Sequence, residues 1–142
     1  MRFWDSSAVV LLLVEQDGSA ALRETLRQDP SMVAWWATPV ECVSALARLE
    51  REGALTGPQL TQALARLDRL SEAWQQVEAG PALQVLARRL LRTHPLRAAD
   101  ALQLAAALVA ADGEPGRLPF VCLDERLRLA ADKEGLARSP TP

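Results

Sequence analysis

At 142 residues, 49% hydrophobic and 24% charged, the chain has the composition of one globular domain and not of a disordered polypeptide. A formal net charge of −2 excludes a protein that coats nucleic acid by bulk attraction. The longest apolar runs, Val9 to Val14 and Ala101 to Ala111 (interrupted by Gln103), are too short to cross a bilayer. Asp5 breaks the N-terminal stretch where an export signal would be apolar, so the expectation is a cytoplasmic protein with no membrane partner.

In chain order, Phe3 and Trp4 start a short strand that ends at Asp5. Ser7 to Glu15 and Ser19 to Arg27 read as helices parted by Asp17-Gly18. Met32 to Ala37 is apolar enough for a buried strand. Thr38-Pro39-Val40-Glu41 then has the form of a helix start, with Thr38 as N-cap, Pro39 in the first turn and Glu41 as the reciprocal acid of a capping box. That helix is expected to run to Glu52, with Val43, Leu46 and Leu49 on one face, until Gly53 stops it. Leu60, Leu64, Leu67 and Leu70 stripe the next helix, so the two form a hairpin turned at Gly53 to Pro58. Ala73 to Val77 suggests a third strand, Pro81 to Arg92 a helix broken by Thr93-His94-Pro95, and Arg97 to Ala111 the most apolar helix. A loop from Gly113 to Pro119 leads to a strand at Phe120 to Leu123, and Glu125 to Glu134 is a helix closed by Gly135. Leu136 to Arg138 adds a last strand, so residues 1–138 make one domain and 139–142 a frayed tail.

Strands alternating with helices predict an α/β fold, a parallel sheet with helices on both faces and a functional site at the carboxyl ends of the strands. Asp5, Glu41 and Asp124 lie just past predicted strand ends, and Asp100 near the start of its helix. Each acid has a structural explanation. Asp5 and Asp124 suit helix N-caps, Glu41 suits the capping box, and Asp100 has Arg97 three residues earlier to pair with. Asp100 is nevertheless the only charged residue between Arg97 and Asp112, in a helix of Ala, Leu, Val and Gln. Clustered carboxylates repel one another, and a divalent cation with hard oxygen ligands, Mg²⁺ or Mn²⁺, reverses that penalty. Cys42 and Cys122 sit in apolar surroundings and read as core residues; with the single His94 they cannot complete a zinc site of familiar spacing.

The segments FWDSSAVVLLLV, TPVECVSALARL, LRAADALQLAAAL and FVCLDERLRLAADKEGL resemble, in order and spacing, the four motif blocks of PIN-domain ribonucleases, and most closely those of VapC-type toxins of bacterial toxin–antitoxin pairs. The resemblance spans nearly the whole chain. It implies a three-layer fold with a central parallel sheet of four or five strands, and Mg²⁺- or Mn²⁺-dependent cleavage of RNA. It also implies a cognate antitoxin partner and a homodimer. Carried over by position, Asp5, Glu41, Asp100 and Asp124 are the acidic quartet that holds the metal, and Ser7 is the hydroxyl that positions water or a carboxylate. Relatives often have Thr or Ser two positions before the last acid; this chain has Cys122.

Lys133 is the only lysine among the basic residues, and Arg88, Arg89, Arg92 and Arg97 form the densest basic stretch, around His94. Arginine forks suit phosphates or an acidic antitoxin segment, although a solvated helix face also accounts for them. Trp35 and Trp36 suit the core or a subunit interface, and the hairpin from Thr38 to Leu70 a dimer or antitoxin surface. Two other readings stay open: a catalytically silent PIN-type binding module, and a phosphotransfer or phosphatase domain on a similar sheet. The second needs a further acid beside Asp5 or a lysine in the site; Ser6 and Ser7 follow Asp5, and Lys133 lies beyond the last acid.

Overall fold

The computed structural model describes residues 1–139. Its strands are β1 (Arg2–Trp4), β2 (Met32–Trp35), β3 (Gln75–Val77), β4 (Pro119–Val121) and β5 (Ala137–Arg138), and its helices α1 (Ser6–Leu13), α2 (Ser19–Gln28), α3 (Thr38–Arg51), α4 (Gly57–Ala73), α5 (Pro81–Thr93), α6 (Ala98–Ala110) and α7 (Glu125–Lys133). The strands form one parallel sheet in the order β3-β2-β1-β4-β5. From β1 the chain winds outward through β2 to β3, then crosses back to pair β4 on the other side of β1. The winding therefore reverses between β1 and β4, where open α/β sheets leave a crevice.

Period-two alternation assigns each strand residue to one of two cores. Phe3, Val33, Trp35, Phe120 and Cys122 face α5, α6 and α7. Trp4, Met32, Ala34 and Val121 face the layer built from α1 to α4. Phe3 and Phe120 pair directly in register and stack with ring centroids 5.6 Å apart. Helices thus cover both faces, as the alternation of elements predicts.

Several boundaries differ from expectation, each for an identifiable reason. The first helix stops at Leu13 and not at Glu15, because side chains take its last carbonyls: Arg66 Nη1 donates to Leu13 O, and Ser19 Oγ and Arg23 Nη2 donate to Val14 O. Ala37 is already in a helical conformation, so β2 ends early and Thr38 is the first residue of α3, not its N-cap. A true capping box is found instead on α4, where Thr56 and Gln59 exchange hydrogen bonds. Val43 is exposed; α3 turns Cys42 and Leu46 inward. Helix α4 continues through Ala73, which delays β3 to Gln75, and the expected loop before β4 contains a 3₁₀ turn at Pro115–Arg117. Ser139, assigned to the frayed tail, is buried and accepts a hydrogen bond from Arg2. The rest of that tail, residues 140–142, lies outside the described residues. No described helix is long and apolar enough to cross a membrane.

A candidate acidic active site at the sheet's carboxyl edge

Asp5 follows β1 and caps α1. Its Oδ2 accepts from the Ser7 backbone N–H at 3.1 Å, from Ser7 Oγ at 2.5 Å and from the Cys122 thiol at 3.4 Å. The residue is only 3% exposed, and burial, with the charge of Asp100, pushes its carboxyl above the ordinary range against the pull of those donors. Ser7 Oγ in turn accepts from Leu123 N–H at 3.0 Å, tying the end of β1 to the end of β4. Ser7 therefore touches and orients the Asp5 carboxylate.

Glu41 reaches the same edge from α3. Its Oε2 accepts from Ser6 Oγ at 3.0 Å and its Oε1 from Gln103 Nε2 at 3.3 Å. This is not a capping box, since Thr38 is already inside α3 and the helix has no side-chain cap; Thr38 Oγ1 instead accepts from Gln103 Nε2 at 3.2 Å. Burial raises the Glu41 carboxyl, and the charges of Asp5 and Asp100 raise it further. Asp100, in the first turn of α6, is half-buried and raised by desolvation and by the charge of Asp124. The Arg97 backbone and the charges of Arg97 and Arg126 act the other way, yet among the described residues Asp100 forms no direct ion pair with Arg97. Asp124 caps α7 through Leu127 N–H at 2.8 Å and shares an open groove with Arg97, Asp100, Glu125, Arg126 and Leu129.

The fold thus gathers the four predicted acids into one electrostatic neighbourhood. Two of them, Asp5 and Asp124, are caps as well, so the structural and the site readings hold together for them. The donor set is all hard oxygen and, among the described residues, carries no paired cation, a chemistry that suits a divalent metal. Among the described residues, however, no three His, Cys, Asp or Glu side chains stand close enough to hold an ion between them.

Cys122 occupies the place of the family's hydroxyl, with its thiol toward Asp5 and the Asp124 carbonyl. Burial pushes the Cys42 thiol up to about 12 and the Cys122 thiol higher, so neither is a nucleophile at neutral pH. His94 lies in the bend just past α5, where it is buried and bonds Glu134 at 2.7 Å, and Arg89 clamps the same carboxylate. Trp35 is core, while Trp36 is half exposed. Lys133 closes α7 at the end opposite Asp124, so the acids have no lysine of the kind phosphotransfer sites use.

Ser6 and Gln103 were not foreseen. Gln103 did leave one signal, as the single polar residue interrupting the apolar run of α6.

Fold and site together are a three-layer α/β domain with four acids collected near the topological switch point of its parallel sheet. The PIN domain family pattern matches residues 2–133. Ribonuclease VapC45 and Ribonuclease VapC49, from two strains of Mycobacterium tuberculosis, are each 35% identical to the chain over 140 residues, covering 97% of it and 94% of themselves. The chain belongs to the PIN-domain family, with VapC ribonucleases among its relatives. The crystal structure of FitAcB from Neisseria gonorrhoeae shares the fold, with a TM-score of 0.65 at 17% identity, covering 97% of this chain and 96% of that one.

Proposed function

We propose that the protein is an endoribonuclease that cleaves RNA phosphodiesters as the toxin of a toxin–antitoxin pair, using Mg²⁺ or Mn²⁺. The observation that carries the reading is a series of repelling carboxylates, Asp5 and Glu41 with Asp100 and Asp100 with Asp124, none in an ion pair among the described residues, in a chain 35% identical to VapC ribonucleases. Asp5, Glu41, Asp100 and Asp124 are the residues that would hold the metal. When bound, the ion would activate water and offset the charge gathering on the phosphate under attack.

The protein's own side chains do the rest. Ser7 fixes Asp5 and links it to the end of β4, so the acids keep their relative positions while substrate enters. The open groove beside Asp100 and Asp124 is flanked by Arg97 and Arg126, whose guanidiniums suit the phosphates on either side of the scissile bond. The groove's own balance is negative, Arg97 and Arg126 against Asp100, Asp124 and Glu125, so a bound cation would be needed to turn it toward a phosphate. A cognate antitoxin, a homodimer and action in the cytoplasm belong to the same proposal, with the exposed Trp36, Val40 and Val43 as apolar surface for a protein partner.

The test is cleavage of end-labelled RNA by purified protein with Mg²⁺ or Mn²⁺, with and without chelator, beside Asp5→Asn and Asp100→Asn. Metal-dependent cutting lost in both variants is expected, and cutting that persists in both overturns the assignment. RNA binding without any cleavage identifies the silent binding module instead.

A further inference from the structure

Gln103 is an anomaly in its helix. It is completely buried, its neighbours Ala101, Leu104 and Ala105 are all apolar, and its Oε1 has no hydrogen-bond partner. A buried carbonyl without a partner destabilises a fold, and a side chain such as leucine or methionine would fill the space without that cost. What the amide provides is its NH₂ group. Nε2 donates to Thr38 Oγ1 at 3.2 Å and to Glu41 Oε1 at 3.3 Å, 62 residues away in sequence. The flipped amide would set Oε1 against the Glu41 carboxylate, acceptor against acceptor, so the ionised acid selects the observed orientation. Ser6, in the first turn of α1, grips the other carboxylate oxygen. Glu41 leaves α3 and is held by one donor from α1 and one from α6.

We infer that Gln103, with Ser6, is a positioning residue: it clamps the Glu41 carboxylate in the orientation from which it serves the cation site. The inference rests on the metal-nuclease reading above and names residues which that reading does not use. Donors of this kind, one step removed from the ligand, hold a carboxylate to a single rotamer and set its basicity. Among the described residues the amide has one other polar partner, the buried Thr38 hydroxyl, which needs no donor as long as a glutamine and asks nothing of Glu41.

The test is Gln103→Met, which keeps the length and removes the donor, measured alone and in a Glu41→Gln background. Mn²⁺ binding to the whole protein is read by calorimetry, with kcat and KM for RNA cleavage beside it. Gln103→Met is expected to fold, losing the unpaired carbonyl but also the donor to Thr38 Oγ1 and so melting near the wild-type temperature, and to weaken Mn²⁺ binding about 10–100-fold, the range for such outer-shell partners. In cleavage it should lower kcat with little change in KM. In the Glu41→Gln background the same substitution should change Mn²⁺ affinity by less than about twofold, because the carboxylate it acts through is gone. Wild-type Mn²⁺ affinity and kcat in Gln103→Met overturn the inference and leave the nuclease reading standing. So does an equal loss in both backgrounds, which marks a packing role. A wild-type protein that neither binds Mn²⁺ nor cleaves RNA overturns the nuclease reading, and the clamp with it.

Discussion

The Asp5 carboxylate gives the sharpest test of whether this edge is built for a cation or for folding. Asn is as good an N-cap as Asp, and its amide oxygen can keep the bonds that Ser7 donates. Asp5→Asn therefore leaves the cap largely intact and removes the charge. Asp5 is 3% exposed, and burial outweighs its hydrogen bonds in setting its carboxyl above the ordinary range. In metal-free protein the charge is a liability, and neutralising it should add about 1–2 kcal/mol, the usual gain from relaxing a functional site. For a domain of this size that is roughly 3–8 °C in melting temperature.

Metal should reverse the order. Mn²⁺ at a hundred times its Kd stabilises the wild type by about 2.7 kcal/mol and does nothing for a variant that does not bind it. Thermal melts in chelator and in saturating Mn²⁺ should then cross, with Asp5→Asn more stable in the first and the wild type in the second. A variant that melts lower than the wild type in chelator would refute the reasoning, since the charge would then be serving the fold.

The same comparison carries a pH signature. Asp5, Glu41 and Asp100 are all raised, so the folded state holds protons more tightly than the unfolded chain and their contribution to stability falls as pH rises. The window opens at the ordinary values of 3.8 for Asp and 4.5 for Glu and closes at the higher folded values, so the Asp5→Asn advantage in metal-free melts should vanish at the acid end and be complete at the neutral end. Arg97→Gln and Arg126→Gln should each raise KM for RNA and flatten the salt dependence of log KM by about one unit, with kcat near wild type; steady-state kinetics across a salt series decide it. Glu134→Gln strips a charged partner from Arg89 and His94 and should cost about 1–3 kcal/mol in urea melts while leaving Mn²⁺ affinity unchanged.

Much of this was legible in the sequence because the cores follow simple periods. Alternating residues in β1, β2 and β4 divide cleanly between two helical layers, and apolar stripes announce α4 and α6. The acids were legible because each interrupts an apolar stretch near an element's start. Long-range side-chain bonds were not. Thr38 looks like an N-cap, but the helical conformation of Ala37 puts it inside α3, and its hydroxyl accepts from Gln103, 65 residues away, so Glu41 has no capping-box partner. The early stop of α1 depends on Arg66, and the burial of His94 on Glu134; neither partner is near in sequence. Period and propensity describe one element at a time, and these contacts join two.

The distribution of ion pairs bears on whether the quartet exists for the fold. The chain pairs its arginines with carboxylates readily: Arg23 with Glu15, Arg27 with Glu24, Arg89 with Glu134, Arg117 with Glu114 and Arg138 with Asp132. Among the described residues none of Asp5, Glu41, Asp100 and Asp124 has such a partner, although Arg97 and Arg126 lie near enough for their charges to act on Asp100. Capping explains one acid at the head of α1 and one at the head of α7. It gives no reason for Glu41 to turn toward Ser6 and Gln103, or for Asp100 to raise both Asp5 and Glu41. Guanidiniums close on carboxylates elsewhere in the chain but on none of these acids among the described residues. Leaving them open costs stability in the free protein, a cost that the cation of the proposed function would offset with its own charge.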